Sequence, residues 1–92
     1  MVIYVVCYDV TNDKVRNRIS KILLKYGNRV QYSVFEVMLK SQNELNTLLY
    51  KLRKVADENT DIRLYRLCEN CREVSCDLNG ERIAKMPAVV IV

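Results

Sequence analysis

Apolar residues run without a break from Val2 to Tyr8 (VIYVVCY), and Asp9 ends the run. A continuous β-branched and aromatic run, with no polar alternation, predicts a strand buried on both faces. The spacing then changes. Val15, Ile19, Ile22, Leu23 and Tyr26 recur at helical steps, with Thr11 or Asn12 placed to cap a helix and Gly27 to stop it. Arg29 to Lys40 (RVQYSVFEVMLK) is rich in strand formers and predicts one bent strand or two joined by a tight turn. Ser41 and Glu44 form a capping box in which each satisfies the other's backbone donor. Leu45, Leu48, Leu49, Leu52 and Val55 predict a second helix, ending at Asp57-Glu58-Asn59, and Asp61 to Cys68 predicts a further strand. Asn79-Gly80, between Arg72–Leu78 and Glu81–Met86, predicts a two-residue hairpin turn. The chain closes on Pro87-Ala88-Val89-Val90-Ile91-Val92, an apolar strand that needs a partner, such as a second protomer.

The order β-α-β(β)-α-β with added strands predicts an α+β, ferredoxin-like βαββαβ sandwich: one antiparallel sheet with two helices on one face. A single domain over 1–92 is expected, with a core over 1–68 and a hairpin and strand extension over 69–92 that pairs across a dimer. Ninety-two residues lie near the lower limit for one stable core, so a site shared between two chains is the natural default. No stretch reaches the roughly eighteen apolar residues that span a bilayer. The opening run is too short for a signal peptide, so a cytoplasmic chain with reduced thiols and no membrane partner is expected.

Composition narrows the chemistry. The chain has no histidine, which excludes Ser-His-Asp and Cys-His catalysis and histidine-ligated zinc. Acid, base or metal work falls to carboxylates, thiols, tyrosines or water. The net charge of +4 is unevenly spread: residues 1–56 hold ten cations and four acids, residues 57–92 five cations and seven acids. Between Lys14 and Phe35 there are six cations (Lys14, Arg16, Arg18, Lys21, Lys25, Arg29) and no acid. On a folded element, such a block is either a solvated helix flank or a face for a polyanion. On the helix, Lys14, Arg18, Lys21 and Lys25 form a stripe beside the apolar one, and Arg16 falls on the opposite flank. Cys68, Cys71 and Cys76 follow a CxxC spacing that hints at zinc or a redox pair, but no histidine completes a four-ligand site. Reduced structural thiols are the plainer expectation, with Cys7 a small buried hydrophobe.

The segment Tyr8 to Val37 resembles the small CRISPR-associated adaptation family Cas-two. The shared elements stand in fixed order: a first strand ending in Tyr8-Asp9, Arg16-x-Arg18 early in the helix, Tyr26-Gly27 at its end, then Arg29, Gln31, Ser33, Phe35 and Glu36. The resemblance implies a ferredoxin-like homodimer that holds a divalent metal, Mg²⁺ or another hard cation such as Mn²⁺, between two copies of Asp9. Tyr8, Arg16, Arg18, Arg29 and Phe35 would join Asp9 at the catalytic site, and the metal would activate water against a phosphodiester. Lys14, Arg16, Arg18, Lys21, Lys25 and Arg29 would bind nucleic acid. Each residue also has a plainer role. Asp9 could be a turn residue, Asp13 a first-turn helix acid, Glu36 a solvent-facing strand position and Ser33 a bend residue. Phe35 and Tyr32 would be core or interface residues, though Phe35 could stack on a base.

Two functions follow from the resemblance. One is a metal-dependent endonuclease on single-stranded RNA or DNA, acting in spacer acquisition. The other is a non-catalytic dimeric scaffold that holds duplex DNA for the CRISPR integrase, Cas-one. A toxin-like ribonuclease of the same fold is a further reading.

Overall fold

The computed structural model describes residues 1–85, so Met86 and the expected strand from Pro87 to Val92 lie outside the described residues. In chain order the elements are β1 (Val2–Asp9), α1 (Asp13–Leu24), β2 (Gly27–Gln31), β3 (Val34–Leu39), α2 (Gln42–Val55), β4 (Asp61–Leu67) and α3 (Glu69–Glu73). The four strands form one sheet in the order β2-β3-β1-β4, and every neighbouring pair is antiparallel. With α1 and α2 on one face, this is the expected ferredoxin-like arrangement.

Local chemistry explains the helix starts. Asn12 caps α1, its side-chain oxygen accepting from the Lys14 and Val15 backbone N–H groups. Ser41 caps α2 through the Glu44 N–H at 3.2 Å. Glu44 in turn accepts from the Lys40 N–H, one residue earlier than an ideal capping box requires. The capping therefore stands, with its reciprocal bond shifted by one residue.

The core lies between the sheet and the two helices. Val6 and Tyr8 from β1, and Phe35, Val37 and Leu39 from β3, pack against Val15, Ile19 and Leu23 of α1 and Leu48 and Leu52 of α2. Each fully buried aliphatic side chain contributes about 1.5 to 3 kcal/mol relative to exposure, so this cluster dominates the stability of so short a chain. On the other face of β1, Ile3 is buried while Val5 and Cys7 are only half-buried. The expectation of burial on both faces is thus met only in part, since on the helix side Val6 and Tyr8 are buried but Val2 and Tyr4 are half-buried. Cys7 accordingly is not a wholly buried hydrophobe.

Arg29 to Lys40 takes the second of its two expected forms, two strands joined by a tight turn at Tyr32-Ser33. Two expectations are corrected. Gly27 does not terminate α1 with a left-handed turn: the helix ends at Leu24 with Lys25 as its cap, and Gly27 opens β2. Its missing side chain has a different cause. A Cβ there would collide with the backbone of Glu36 and Val37 on β3, so glycine permits the close approach of the two strands.

The second correction concerns the extension. Glu69–Glu73 is helical, so the first hairpin arm does not begin at Arg72. The reversal at Asn79-Gly80 is real but three residues long. The Asp77 N–H donates to the Glu81 carbonyl and the Gly80 N–H to the Asp77 carbonyl, while Cys76 bridges Arg82. Only Gly80 of the pair has positive φ, which is a type I turn closed by a left-handed glycine. Asp77 makes that form favourable, since its carboxylate accepts from the Asn79 and Glu81 N–H groups. The extension borders a cleft with Val30, Gln31 and Glu36, so Glu36 is half-buried rather than simply solvent-facing.

Candidate functional site

Asp9 is the last residue of β1 and is exposed. The helix-facing alternation of β1 places Tyr8 inward and leaves Asp9 at the open end of the sheet. Directly across the β1–β4 ladder stands Asp61, so two carboxylates oppose each other at the sheet's end. A shallow cavity there is lined by Cys7, Tyr8, Asp9, Asp61 and Arg63. Arg63 holds Asp61 through both carboxylate oxygens, at 3.3 and 3.2 Å, and that bond raises the pKa of its guanidinium. Asp9 makes no ion pair among the described residues.

The donor set at Asp9 suits a hard divalent cation, which takes one or two carboxylates and keeps several waters. Opposed like charges on a ladder are unfavourable, and a cation beside them would relieve that repulsion. Among the described residues, no three Cys, Asp or Glu side chains gather into a metal-binding group. Further ligands must therefore be water, nucleic acid or a second chain. The same observation leaves Cys68, Cys71 and Cys76 without the arrangement zinc requires.

The remaining site residues fall into three environments. Tyr8 and Phe35 are core residues, 5% and 0% exposed, with rings stacked at 6.1 Å. Phe35 packs, and its buried ring has no face open to a base. Its link to the surface is Arg29, whose guanidinium lies 5.2 Å from the ring centroid. Arg29 Nη2 also donates to Ser20 Oγ at 2.7 Å, and Ser20 Oγ shares a 2.8 Å hydrogen bond with the Tyr8 hydroxyl. Tyr8, Ser20, Arg29 and Phe35 thus form one connected unit running from core to surface.

Arg16 occupies a second environment. It donates to Asp13 Oδ1 at 2.7 Å, to the Tyr32 hydroxyl at 3.2 Å and to the Val10 carbonyl at 3.2 Å. Desolvation works against its charge, but the bonds to Asp13 and Tyr32 prevail and raise its pKa. Arg16 therefore fastens the β1–α1 loop to the β2–β3 turn. Asp13 sits in the first helical turn as expected, and is also the partner of Arg16. Tyr32 is neither core nor buried: it lies in the turn, 68% exposed, and its hydroxyl is what Arg16 reaches.

Lys14, Arg18, Lys21 and Lys25 make up the third environment. All four are exposed, three on α1 and Lys25 at its C-cap, and they form no ion pair among the described residues. They are free to meet a polyanion.

Ser20 and Asp61 were not legible as site residues. Among the described residues Ser20 is the one buried polar or charged residue, 8% exposed, and its signal lay in the helical spacing. It stands three residues before Leu23, on the buried stripe, where a serine needs a polar partner. Asp61 carries no such local signal, because its place opposite Asp9 depends on the strand register.

The match to known proteins is broad. A family model described as CRISPR associated protein Cas2 matches residues 1–74. The chain is 39% identical over 94 residues to a Synechocystis protein named CRISPR-associated endoribonuclease Cas2 3, covering all of both chains. It is 32% identical over 90 residues to CRISPR-associated endoribonuclease Cas2 2 of Methanospirillum hungatei, covering 98% of this chain and 100% of the relative. Among solved structures, a chain of a partial Cas6-RT-Cas1–Cas2 complex superposes with a TM-score of 0.86 at 40% identity, with full coverage of both chains. The Tyr8-Asp9 strand end, the α1 arginines and the β2–β3 segment all lie inside the matched region, and the chain belongs to the CRISPR-associated Cas2 family.

Proposed function

We propose that this chain acts in CRISPR spacer acquisition as a homodimer that binds nucleic acid beside the integrase Cas1, with a metal-dependent phosphodiester endonuclease centre at Asp9. The observation that carries the reading is the adjacency in sequence and fold of an exposed carboxylate, Asp9, to a helix whose free cations are Lys14, Arg18, Lys21 and Lys25. The names of relatives as endoribonucleases, and the solved complex that contains both Cas1 and Cas2, support the class of activity and of partner.

Asp9, with its twin from a second chain, would hold Mg²⁺ or Mn²⁺. Such an ion supplies Lewis-acid polarisation of a phosphate and acidifies water at the site. The chain's own residues bind and orient. Lys14, Arg18, Lys21 and Lys25 attract the backbone by charge, which favours binding without reading sequence. Arg29, anchored on Ser20, and Arg16, anchored on Asp13, hold the two strand-turn segments that flank Asp9 in fixed positions. Tyr8 supports Asp9 from within the core.

Cleavage of single-stranded RNA and DNA with added Mg²⁺, native protein against Asp9→Asn, tests the catalytic part. Loss of cleavage in Asp9→Asn supports it, and equal cleavage refutes it.

A specific observation favours a second reading, the non-catalytic scaffold. Tyr8 and Phe35 are buried and Arg16 is internally bonded, so among the residues grouped with Asp9 by the family motif only Arg18 is exposed without a bonded partner among the described residues. A duplex-holding dimer needs the cationic stripe and no acidic centre. Under that reading Asp9→Asn supports spacer acquisition at the native level, whereas under the catalytic one it does not.

A further inference from the structure

Cys68 and Cys71 serve no part of the nucleic-acid site, and they are not structural thiols in the ordinary sense, because both are exposed. Cys68 immediately precedes α3 and Cys71 lies within its first turn. That spacing brings their sulfur atoms to 3.2 Å. Two exposed sulfurs at that separation need little backbone movement to bond. Cys76 is also exposed, five residues further along and beyond α3 in the bridge to Arg82.

The two thiols are chemically unequal. Cys68 stands at the N-cap of α3, where the nearby Cys71 backbone amide, and then the Cys71 thiol, favour its charged form and lower its pKa. The pKa of Cys71 is raised, chiefly by its contact with the Cys68 sulfur. One cysteine is thus favoured as thiolate and its neighbour as thiol, the division of labour that thiol–disulfide exchange requires.

We propose that Cys68 and Cys71 are a reversible dithiol–disulfide site whose co-reactant is a small-molecule disulfide of the glutathione type, with Cys68 as the attacking residue and Cys71 as the resolving one. The Cys68 thiolate attacks one sulfur of the small disulfide. That S–S bond breaks, and one small thiolate departs with the electron pair and takes a proton from solvent. Cys71 gives its proton to solvent and attacks the Cys68 sulfur of the mixed disulfide, and the second small thiolate leaves. Two protein thiols are oxidised and one disulfide is reduced to two thiols. The bond formed ties the end of β4 to α3, the joint at which the extension leaves the core.

The test uses the full chain equilibrated in buffers of reduced and oxidised glutathione, then blocked with iodoacetamide and mapped by peptide mass spectrometry. A Cys68–Cys71 disulfide is expected as a single two-electron transition, retained in Cys76→Ser. In Cys71→Ser a glutathione adduct accumulates on Cys68, and in Cys68→Ser the adduct on Cys71 forms several-fold more slowly. In the reduced native protein, iodoacetamide modifies Cys68 at least about fivefold faster than Cys76 at neutral pH. Far-UV circular dichroism of the single variants, unchanged from native, separates chemistry from unfolding. Equal adducts in the two single variants would overturn the proposal, as would a Cys68–Cys76 bond, or two free thiols in fully oxidised glutathione.

Discussion

Asp9 and Asp61 are partners at the open end of the β1–β4 ladder, two carboxylates placed opposite one another on adjacent strands. Arg63 partly neutralises Asp61, and the opposed carboxylate of Asp9 leaves a residual repulsion that a neutral residue would remove. In Asp9→Asn, stability in the absence of divalent metal is expected to rise by up to about 1 kcal/mol, the scale of a cross-strand charge pair. Urea denaturation at low ionic strength measures it, and the gain should shrink in high salt as the charges are screened. Added Mg²⁺ should stabilise the native protein more than Asp9→Asn, because a ligand that binds only the folded state stabilises it by mass action.

Ser20 is expected to matter more than a surface serine on a helix. Its hydroxyl serves both the buried Tyr8 hydroxyl and the Arg29 guanidinium. Ser20→Ala removes both partners at once, and thermal and urea unfolding should show a loss of about 1 to 3 kcal/mol. Tyr8→Phe removes only one bond, leaves Ser20 satisfied by Arg29, and should cost about 1 kcal/mol. A smaller effect for Ser20→Ala than for Tyr8→Phe would contradict the network.

Phe35 separates packing from stacking. Wholly buried between sheet and α1, it should lose about 3 to 5 kcal/mol on replacement by alanine, enough to leave so small a domain marginal. Phe35→Leu preserves apolar volume and should fold. Nucleic-acid binding by that variant should then remain within about threefold of native, since the buried ring offers no face to a base. A collapse of binding in folded Phe35→Leu would restore the stacking role.

Gly27→Ala tests the close approach of β2 to β3. A methyl group there meets the Glu36 carbonyl and the Val37 Cα, both backbone atoms that cannot swing aside. Destabilisation well above the roughly 0.5 to 1 kcal/mol ordinarily gained or lost between glycine and alanine is expected. Because Arg29 lies two residues along the same strand, the variant should also weaken nucleic-acid binding.

Features decided by nearby residues were legible in the sequence, and those decided by tertiary register were not. The Asn12 cap, the Ser41–Glu44 capping, both helices and the strand ending at Asp9 each follow from a local pattern. Gly27 matched a helix stop by position, but its reason lies in β3, a strand it meets only after folding. Asp61 carries no motif, and its pairing with Asp9 depends on the antiparallel alignment of β1 with β4. The cationic stripe was legible as a block. That Arg16 and Arg29 are engaged internally, while Lys14, Arg18, Lys21 and Lys25 are not, depends on partners at Tyr32 and Ser20 that no spacing rule supplies. In the extension, Asp77 converted a two-residue turn into a three-residue one by accepting two backbone bonds itself.

In the proposed function, the exposed face of α1 is the surface that meets nucleic acid. The salt dependence of duplex binding by the native protein and by the Lys21→Glu, Lys25→Glu double variant tests that most directly. Each phosphate contact contributes a slope of about −0.9 to log K against log salt. The double variant should bind at least about tenfold more weakly at moderate salt, with a slope shallower by roughly one to two units and unchanged folding. Native affinity and an unchanged slope in a folded double variant would contradict the account and place the interface elsewhere on the molecule.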